Sequence, residues 1–391
     1  MLHRWGLVPA TGRDPHESGR GATPLELFFD LVFVVAVSLA SQNLHHFESE
    51  NHFSTGIVRF LMMFFGLWWA WMGFTWFASA FGHDDWLYRV LSLVQMAGAL
   101  VFAAGVPEAM NHLDFNVAVG GYVIMRLAMA CNWLRVAHDN EQFRGLGRRY
   151  AAGIVAVQTL WVVFLLLPED VKVPAFVAIG LLDLAVPLFA ERGVPPSWHG
   201  HHIAERYGLF TIIVLGESIL ASALAIVHAL EEATHYSDLI LLAGTAFIIV
   251  AGMWWIYFAY PQGDRLTSQR KAFLWGYGHF FIFAAAAAYS AGIEVAIDYD
   301  THHTGLDAAR AALTTCVPVA IFVFMSWLLL MRGRCSSRAS IAMVVVAATS
   351  IVAAFLPYSL QIVGLLMVAL VVVLNQEPAV EENGSMAIAH D

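Results

Sequence analysis

Pro24-Leu25-Glu26-Leu27-Phe28-Phe29-Asp30-Leu31-Val32-Phe33-Val34 opens a long apolar stretch that carries two acids near its start. Glu26 and Asp30 are four residues apart, so a helix sets them on one face, one turn apart. A charged side chain costs roughly 2.5–3.5 kcal/mol or more at the centre of a bilayer, and less near its surface. A segment that only held the chain in lipid would have no use for such groups. Acids of this kind face a protein interior or a wet cavity, so the stretch reads as a membrane-length helix that lines something functional.

Working outward, apolar stretches recur as far as residue 375. The chain of 391 residues is 59% hydrophobic and 13% charged, against about 25% charged in ordinary globular chains. That balance excludes a string of soluble domains, and the stretches are too long and uniformly apolar for barrel strands. The expected fold class is all-α, a polytopic helical membrane protein. Twelve spans are expected at about 24–44, 56–80, 87–106, 115–137, 150–167, 173–190, 206–228, 237–260, 271–294, 309–331, 339–356 and 357–375. Pro187 and Pro318 fall inside spans, where a membrane helix tolerates a kink. Residues 1–23 would be a polar N-terminal segment, 24–190 a first six-helix half, 191–375 a second, and 376–391 a short disordered tail. Residues 1–23 lack the apolar core of a cleavable signal, so the first span should act as an uncleaved insertion signal. Cys131, Cys316 and Cys335 form no motif, and an odd, scattered set argues against a disulfide framework.

Charge sets an orientation. With the N-terminus in the cytoplasm, sixteen of the 20 Lys and Arg residues fall in inner segments. Only Arg59, Lys172 and Arg310 fall outside, and Arg126 lies within a span. The outer segments are acidic, with Glu48, Glu169, Asp170 and Asp298 among them, and they hold histidines such as His45 that read as an ordinary solvated face. This is a positive-inside pattern with both termini cytoplasmic.

The halves also match each other. Gly66-Leu67-Trp68-Trp69 parallels Gly252-Met253-Trp254-Trp255, and Ala104-Gly105 parallels Ala291-Gly292. Asn132-Trp133-Leu134 parallels Ser326-Trp327-Leu328, and Glu26 parallels Glu205. The order and near-constant offset suggest a parallel 6+6 internal repeat, as in transporters with two like halves.

A second polar cluster, His199-Gly200-His201-His202-Ile203-Ala204-Glu205-Arg206, runs into Leu215-Gly216-Glu217-Ser218. His202, Glu205 and Arg206 are spaced to lie near one helix face. Glu217 follows Arg206 by about three turns and returns to nearly that face, deeper in the membrane. Glu217 reads as lining a pathway beside the close-packing Gly216, and the competing reading is a structural ion pair or hydrogen bond to a neighbouring helix. His199, His201, His202 and Glu205 are a candidate set of metal ligands, although adjacent interfacial histidines are more often solvated or backbone-bonded. Arg126 needs an acid, and Asp30, Asp183 and Glu217 are the candidates. Such a group can relay protons or coordinate an ion, or can simply fix helix packing. His279 titrates near neutrality if solvated; the plainer reading is that it donates to a carbonyl. The tryptophans at 68, 69, 71 and 76 are denser than an interfacial belt requires and can wall a cavity.

The chain has no phosphate-loop signature, no Gly-x-Ser-x-Gly, no His-Glu-x-x-His and no basic aromatic patch for nucleic acid. The sequence points to no cofactor.

Glu26-Leu27-Phe28-Phe29-Asp30-Leu31-Val32-Phe33, Ala204-Glu205-Arg206-Tyr207-Gly208-Leu209-Phe210 and Leu215-Gly216-Glu217-Ser218 resemble the bacterial low temperature requirement A family. The resemblance runs from about residue 20 to 375. It takes in Trp68-Trp69-Ala70-Trp71, Asp84-Asp85, Gln95, Pro107-Glu108, Arg126, Trp254-Trp255-Ile256-Tyr257-Phe258 and His279. It implies a multi-pass protein of the bacterial inner membrane with a part in growth in the cold, and assigns no substrate. A looser similarity joins Phe28-Phe29-Asp30 to the first-span Phe-x-Asp element of lysosomal-type potassium leak channels, but Leu209 stands where their second acid would be. The expected function is a secondary transporter or ion-conducting protein. Its pathway candidates are Glu26, Asp30, Arg126, Asp183, Glu205, Arg206, Glu217 and His279, and its partners are membrane lipids and a small ion or proton. A non-catalytic scaffold or sensor and a membrane-embedded lipid enzyme are the alternatives. The sequence sets no oligomeric state.

Overall fold

The computed structural model describes residues 6–377 apart from 15, 16, 18, 83, 232–235 and 267. Among these residues the chain forms twelve α-helices and no strand. In order they are α1 Pro24–Ser49, α2 Phe53–Phe81, α3 Trp86–His112, α4 Asn116–Asp139, α5 Arg144–Phe164 and α6 Glu169–Ala190. Then follow α7 Gly200–Glu231, α8 Tyr236–Phe258, α9 Gln269–Asp300, α10 Ala308–Ser326, α11 Ser337–Ala353 and α12 Ser359–Asn375. A wider π turn, Trp327–Met331, prolongs α10.

Nine of the described helices are long and apolar enough to cross a membrane, which makes this a multi-pass membrane protein. The other three are α5, whose first two turns carry Arg144, Arg148 and Arg149, and the 17-residue α11 and α12. Several helices outrun the apolar stretches that announced them. α1 continues to Ser49, α7 begins at Gly200 and α9 continues to Asp300, because polar residues at a span's end still satisfy their backbone by staying helical. The expected disordered tail lies outside the described residues from 378 onward.

Local chemistry sets the starts. Pro24 occupies the first turn of α1, and Thr23 and Glu26 form a reciprocal capping box. Asp85, Ser268, Asp307 and Ser336 cap α3, α9, α10 and α11 through their side-chain oxygens. Tyr358, in the left-handed region at φ 60°, turns the chain between α11 and α12.

Small residues set the closest crossings, as expected where lipid removes the hydrophobic drive between helices. A Cβ on Gly105 of α3 would run into the backbone of Ala118 on α4. A Cβ on Gly292 of α9 would run into the carbonyl of Thr314 on α10.

Within the first half, α1 packs on α2 and α3, α2 on α4, α3 on α4, α4 on α5, and α5 on α6. Within the second, α7 packs on α8 and α9, α8 on α10, α9 on α10, α10 on α11, and α11 on α12, which also reaches α8. Between the halves, α1 and α2 meet α7 and α9. α1 and α7 run parallel, since contacts pair Glu26 with His202, Asp30 with Arg206 and Ser38 with Glu217. The starts of α1 and α7 define the basic end of the bundle, and the ends of α1 and α9 the acidic end.

The N-terminal segment lies folded against the basic end. The Val8 and Ala10 amides donate to Asp85 and Asp139 at 2.9 and 3.0 Å, Arg135 donates to the Val8 carbonyl at 2.6 Å, and Arg13 Nε donates to the Gly82 carbonyl at 2.6 Å. Arg135 also pairs with Asp85.

Candidate functional site: the seam between α1, α7 and α9

At the basic end, Glu26 is the centre of a buried cluster. Its Oε2 accepts from the Thr23 amide at 2.7 Å, and its Oε1 lies 3.2 Å from Arg20 Nη2 and 3.3 Å from His202 Nε2. One turn on, Asp30 takes a two-pronged contact from Arg206, Nε at 3.1 Å and Nη2 at 2.6 Å, and a hydrogen bond from Trp71 Nε1 at 2.7 Å. Asp30 and Arg206 are fully buried. Arg206 stands over the Phe74 ring at 5.7 Å, and its Nη1 lies 3.6 Å from Glu26. A buried fork of this kind is held only because both charges find partners.

Eight residues further along α1, about 12 Å at helical rise, the chemistry changes. Ser38 Oγ donates to Glu217 Oε1 at 2.5 Å and accepts from Gln42 Nε2 at 3.2 Å. Glu217 is only half-buried, with Ser38 as its hydrogen-bond partner, and among the described residues it forms no ion pair. Between this pair and Asp30, Phe33 and Val37 are fully buried on α1.

Seven residues beyond Ser38, about 10 Å at helical rise, His45 bridges two acids of α9. Its Nδ1 lies 3.1 Å from Glu294 Oε2 and its Nε2 2.6 Å from Asp298 Oδ2. Ser49 donates to the same Asp298 oxygen at 2.7 Å, and Glu48 is buried with Oε2 lacking a hydrogen-bond partner. The reading of His45, Glu48 and Asp298 as solvated loop residues is therefore corrected. The extra turns of α1 and α9 carry them into the bundle.

The remaining candidates separate from the seam. Arg126 pairs with Asp183 at 3.1 Å, and Asp183 also accepts from Trp69 at 2.9 Å, Tyr122 at 2.6 Å and Trp161 at 3.3 Å. His279 is buried, with Nδ1 2.7 Å from the Trp275 carbonyl and Nε2 3.1 Å from the Tyr257 hydroxyl, which is the plainer of its two expected roles. Glu205 is exposed and does not share the buried face of His202 and Arg206, because one step around the helix turns it outward. Nothing stands within 4 Å of a Cβ on Gly216, so this glycine does not mark a close approach.

The candidate ligand set disperses. His199 Nδ1 accepts from the His202 amide, His201 faces Asp264 at 3.2 Å, His202 turns to Glu26, and Glu205 points away. Among the described residues no three His, Cys, Asp or Glu side chains converge as metal ligands. The tryptophans split as well. Trp68, Trp69 and Trp71 are buried, whereas Trp254 and Trp255 are exposed on the outside of α8.

The family model described as bacterial low temperature requirement A protein (LtrA) matches residues 21–375. An uncharacterized protein of Rhizobium meliloti (strain 1021) is 30% identical over 273 residues, 65% of this chain and 64% of that protein. The chain thus spans slightly less than two thirds of that relative's length.

Proposed function

Taking as premise that this chain belongs to the bacterial low temperature requirement A family, we propose that it is a secondary transporter or ion-conducting protein of the inner membrane, with its pathway along the seam of α1, α7 and α9. The observation that carries this reading is the Ser38–Glu217 contact. It places a half-buried carboxylate, in no ion pair among the described residues, between the two halves, flanked by polar clusters towards both ends. Protons are the ion that such a chain of hydroxyl, carboxylate and imidazole groups handles best. The basic end faces the cytoplasm in this reading, as the distribution of Lys and Arg supports. Glu26, Asp30, Arg20 and Arg206 close the pathway there, and His45 with Glu294 and Asp298 forms its outer mouth.

A parallel 6+6 repeat fits the matching order of packing in the two halves. Gly105 and Gly292 both seat the third helix of their half on the fourth. Trp133 stacks on Tyr150 of the fifth helix, and Trp327 bonds Ser340 of the eleventh. The Trp68-Trp69 and Trp254-Trp255 pairs do not share an environment, so that match contributes nothing.

A second reading, a scaffold without turnover, is favoured by the Asp30–Arg206 and Arg126–Asp183 pairs, whose carboxylates are saturated with donors and suit packing locks. Flux in proteoliposomes under a pH or potassium gradient separates the two. Transport predicts flux in the wild type that Glu217→Gln abolishes. Absence of flux from well-folded wild type under every gradient would favour the scaffold.

A further inference from the structure

An open cleft of about 460 Å³ lies at the basic end of the second half, between the loop after α8, the start of α9 and the π turn that prolongs α10. Its size falls in the range of small-ligand sites, about 300–1,000 Å³. Lys271, Leu274 and Trp275 line it from α9, three and four residues apart, and so share one helix face. Arg265 and Arg334 complete the lining from the two loops, with Leu328 and Leu329 of the π turn. One acid, Asp264, also stands at the rim and lies 3.2 Å from His201.

The cations here exceed what the fold requires. The π turn ends α10 and leaves carbonyls without partners in the helix, which accounts for Arg265. Its guanidinium donates to the Leu329 carbonyl and, at 2.9 Å, to that of Arg332. A helix end does not account for Arg334, which comes from the following loop, donates to the Pro261 carbonyl and stands over the Tyr260 ring at 5.8 Å. Among the described residues neither guanidinium forms an ion pair, and each carries five N–H groups, so both keep donors for another acceptor. Burial and the like charge of Arg334 hold Arg265 below its ordinary range, a conflict that an anion beside them relieves. The first turn of α9 holds Arg270 and Lys271 and no acid, the reverse of what the helix dipole favours. The positive-inside pattern asks for cations at this end, but not for three around one cleft. On the inner wall Trp275 is buried, and its indole nitrogen has no hydrogen-bond partner. Leu274, one turn deeper than Lys271, is 69% exposed.

We propose that this cleft binds the phosphate of an anionic phospholipid, held by Arg265, Lys271 and Arg334, with an acyl chain against Leu274. Paired guanidinium groups suit phosphate oxygens. A basic cleft between helix ends, with an exposed leucine one turn deeper, fits a headgroup and its tail together. A free phosphate would have no use for the leucine. None of these residues is a pathway candidate, so the proposal stands independently of ion flux.

The test is native mass spectrometry of the full chain, delipidated in a neutral detergent, with phosphatidylglycerol and phosphatidylcholine of identical acyl chains. The expected result is saturable binding of phosphatidylglycerol that phosphatidylcholine does not match and millimolar inorganic phosphate does not displace. Each cation is worth about fivefold, so Lys271→Gln combined with Arg334→Gln should weaken phosphatidylglycerol at least tenfold. Leu274→Ser should weaken it several-fold. Arg338→Gln, which removes an exposed cation of α11 outside the cleft, should change it less than twofold. Equal binding of the two lipids, unchanged binding by the double variant, or an equal loss in Arg338→Gln would overturn the proposal. Displacement by inorganic phosphate would overturn it in favour of a soluble anion. If the double variant does not fold, Lys271→Gln alone and the ranking of the two lipids on wild type decide the matter.

Discussion

Ser38 and Glu217 are 179 positions apart in the chain and 2.5 Å apart in space. The contact joins α1 to α7, about two turns along α1 from the Asp30–Arg206 pair that joins the same two helices. Glu217→Gln should abolish flux while leaving melting temperature and membrane yield near wild type, because a half-buried amide can keep the Ser38 bond. Ser38→Ala should slow flux several-fold. Wild-type flux in Glu217→Gln, measured in proteoliposomes, would remove the seam as a pathway.

Asp30 and Arg206 behave as a closed pair. Removing either partner strands the other in the core, and Arg206→Leu or Asp30→Asn should cost about 3–5 kcal/mol. The double change Asp30→Leu with Arg206→Met should recover most of that loss. Thermal unfolding in detergent reads both, and a single variant that melts like wild type would show the pair to be dispensable.

Helix crossings at glycine give a contrast within one experiment. Gly105→Val and Gly292→Val push a side chain into the backbone of the neighbouring helix and should sharply lower melting temperature. Gly120 faces open space, so Gly120→Ala should be neutral or stabilise by up to about 1 kcal/mol. Equal effects at all three positions would mean the crossings are looser than described.

Acid should release the N-terminal segment. Burial raises the Asp85 carboxyl, but the bonds from Arg135 and from the Tyr88 and Val8 amides outweigh it and hold the group at about 2. Its folded value lies below its unfolded one, so its contribution is complete above about pH 4 and is lost as pH falls towards 2. Protease cleavage within residues 6–14 should be constant from neutral pH to about 5 and rise below 4. Asp85→Asn should be cleaved readily at every pH. A segment equally sensitive in wild type and variant at neutral pH would refute the clamp.

The twelve helices were legible because apolar length and Lys/Arg placement are properties of each segment alone. Partner choice was not. Arg126 had three acids within reach of a sequence argument, and only the neighbourhood of α2, α4 and α6 selects Asp183. Spacing sets Arg206 near one face with His202 and Glu205 but names no partner for it, and Asp30, which it pairs with, is 176 positions earlier. His45, Glu48 and Asp298 were missed because apolar runs end before helices do. The signal was present in the spacing of His45, Glu48 and Ser49, which continues the helical register of α1 past its last apolar residue.

The Asp30–Arg206 bond also dictates a timetable. Trp71 follows Asp30 by 41 residues and Arg206 by 176. At about 5–20 residues per second, roughly 9–35 s pass before the counter-charge exists. Throughout that interval α1 holds two acids with no cation from the second half, so it must wait in a hydrated or protein-lined place, or with its carboxyls protonated. The nascent first half is therefore an unfinished folding intermediate, exposed to quality-control proteolysis until α7 is made, and supplying α7–α12 as a separate polypeptide during synthesis should rescue it.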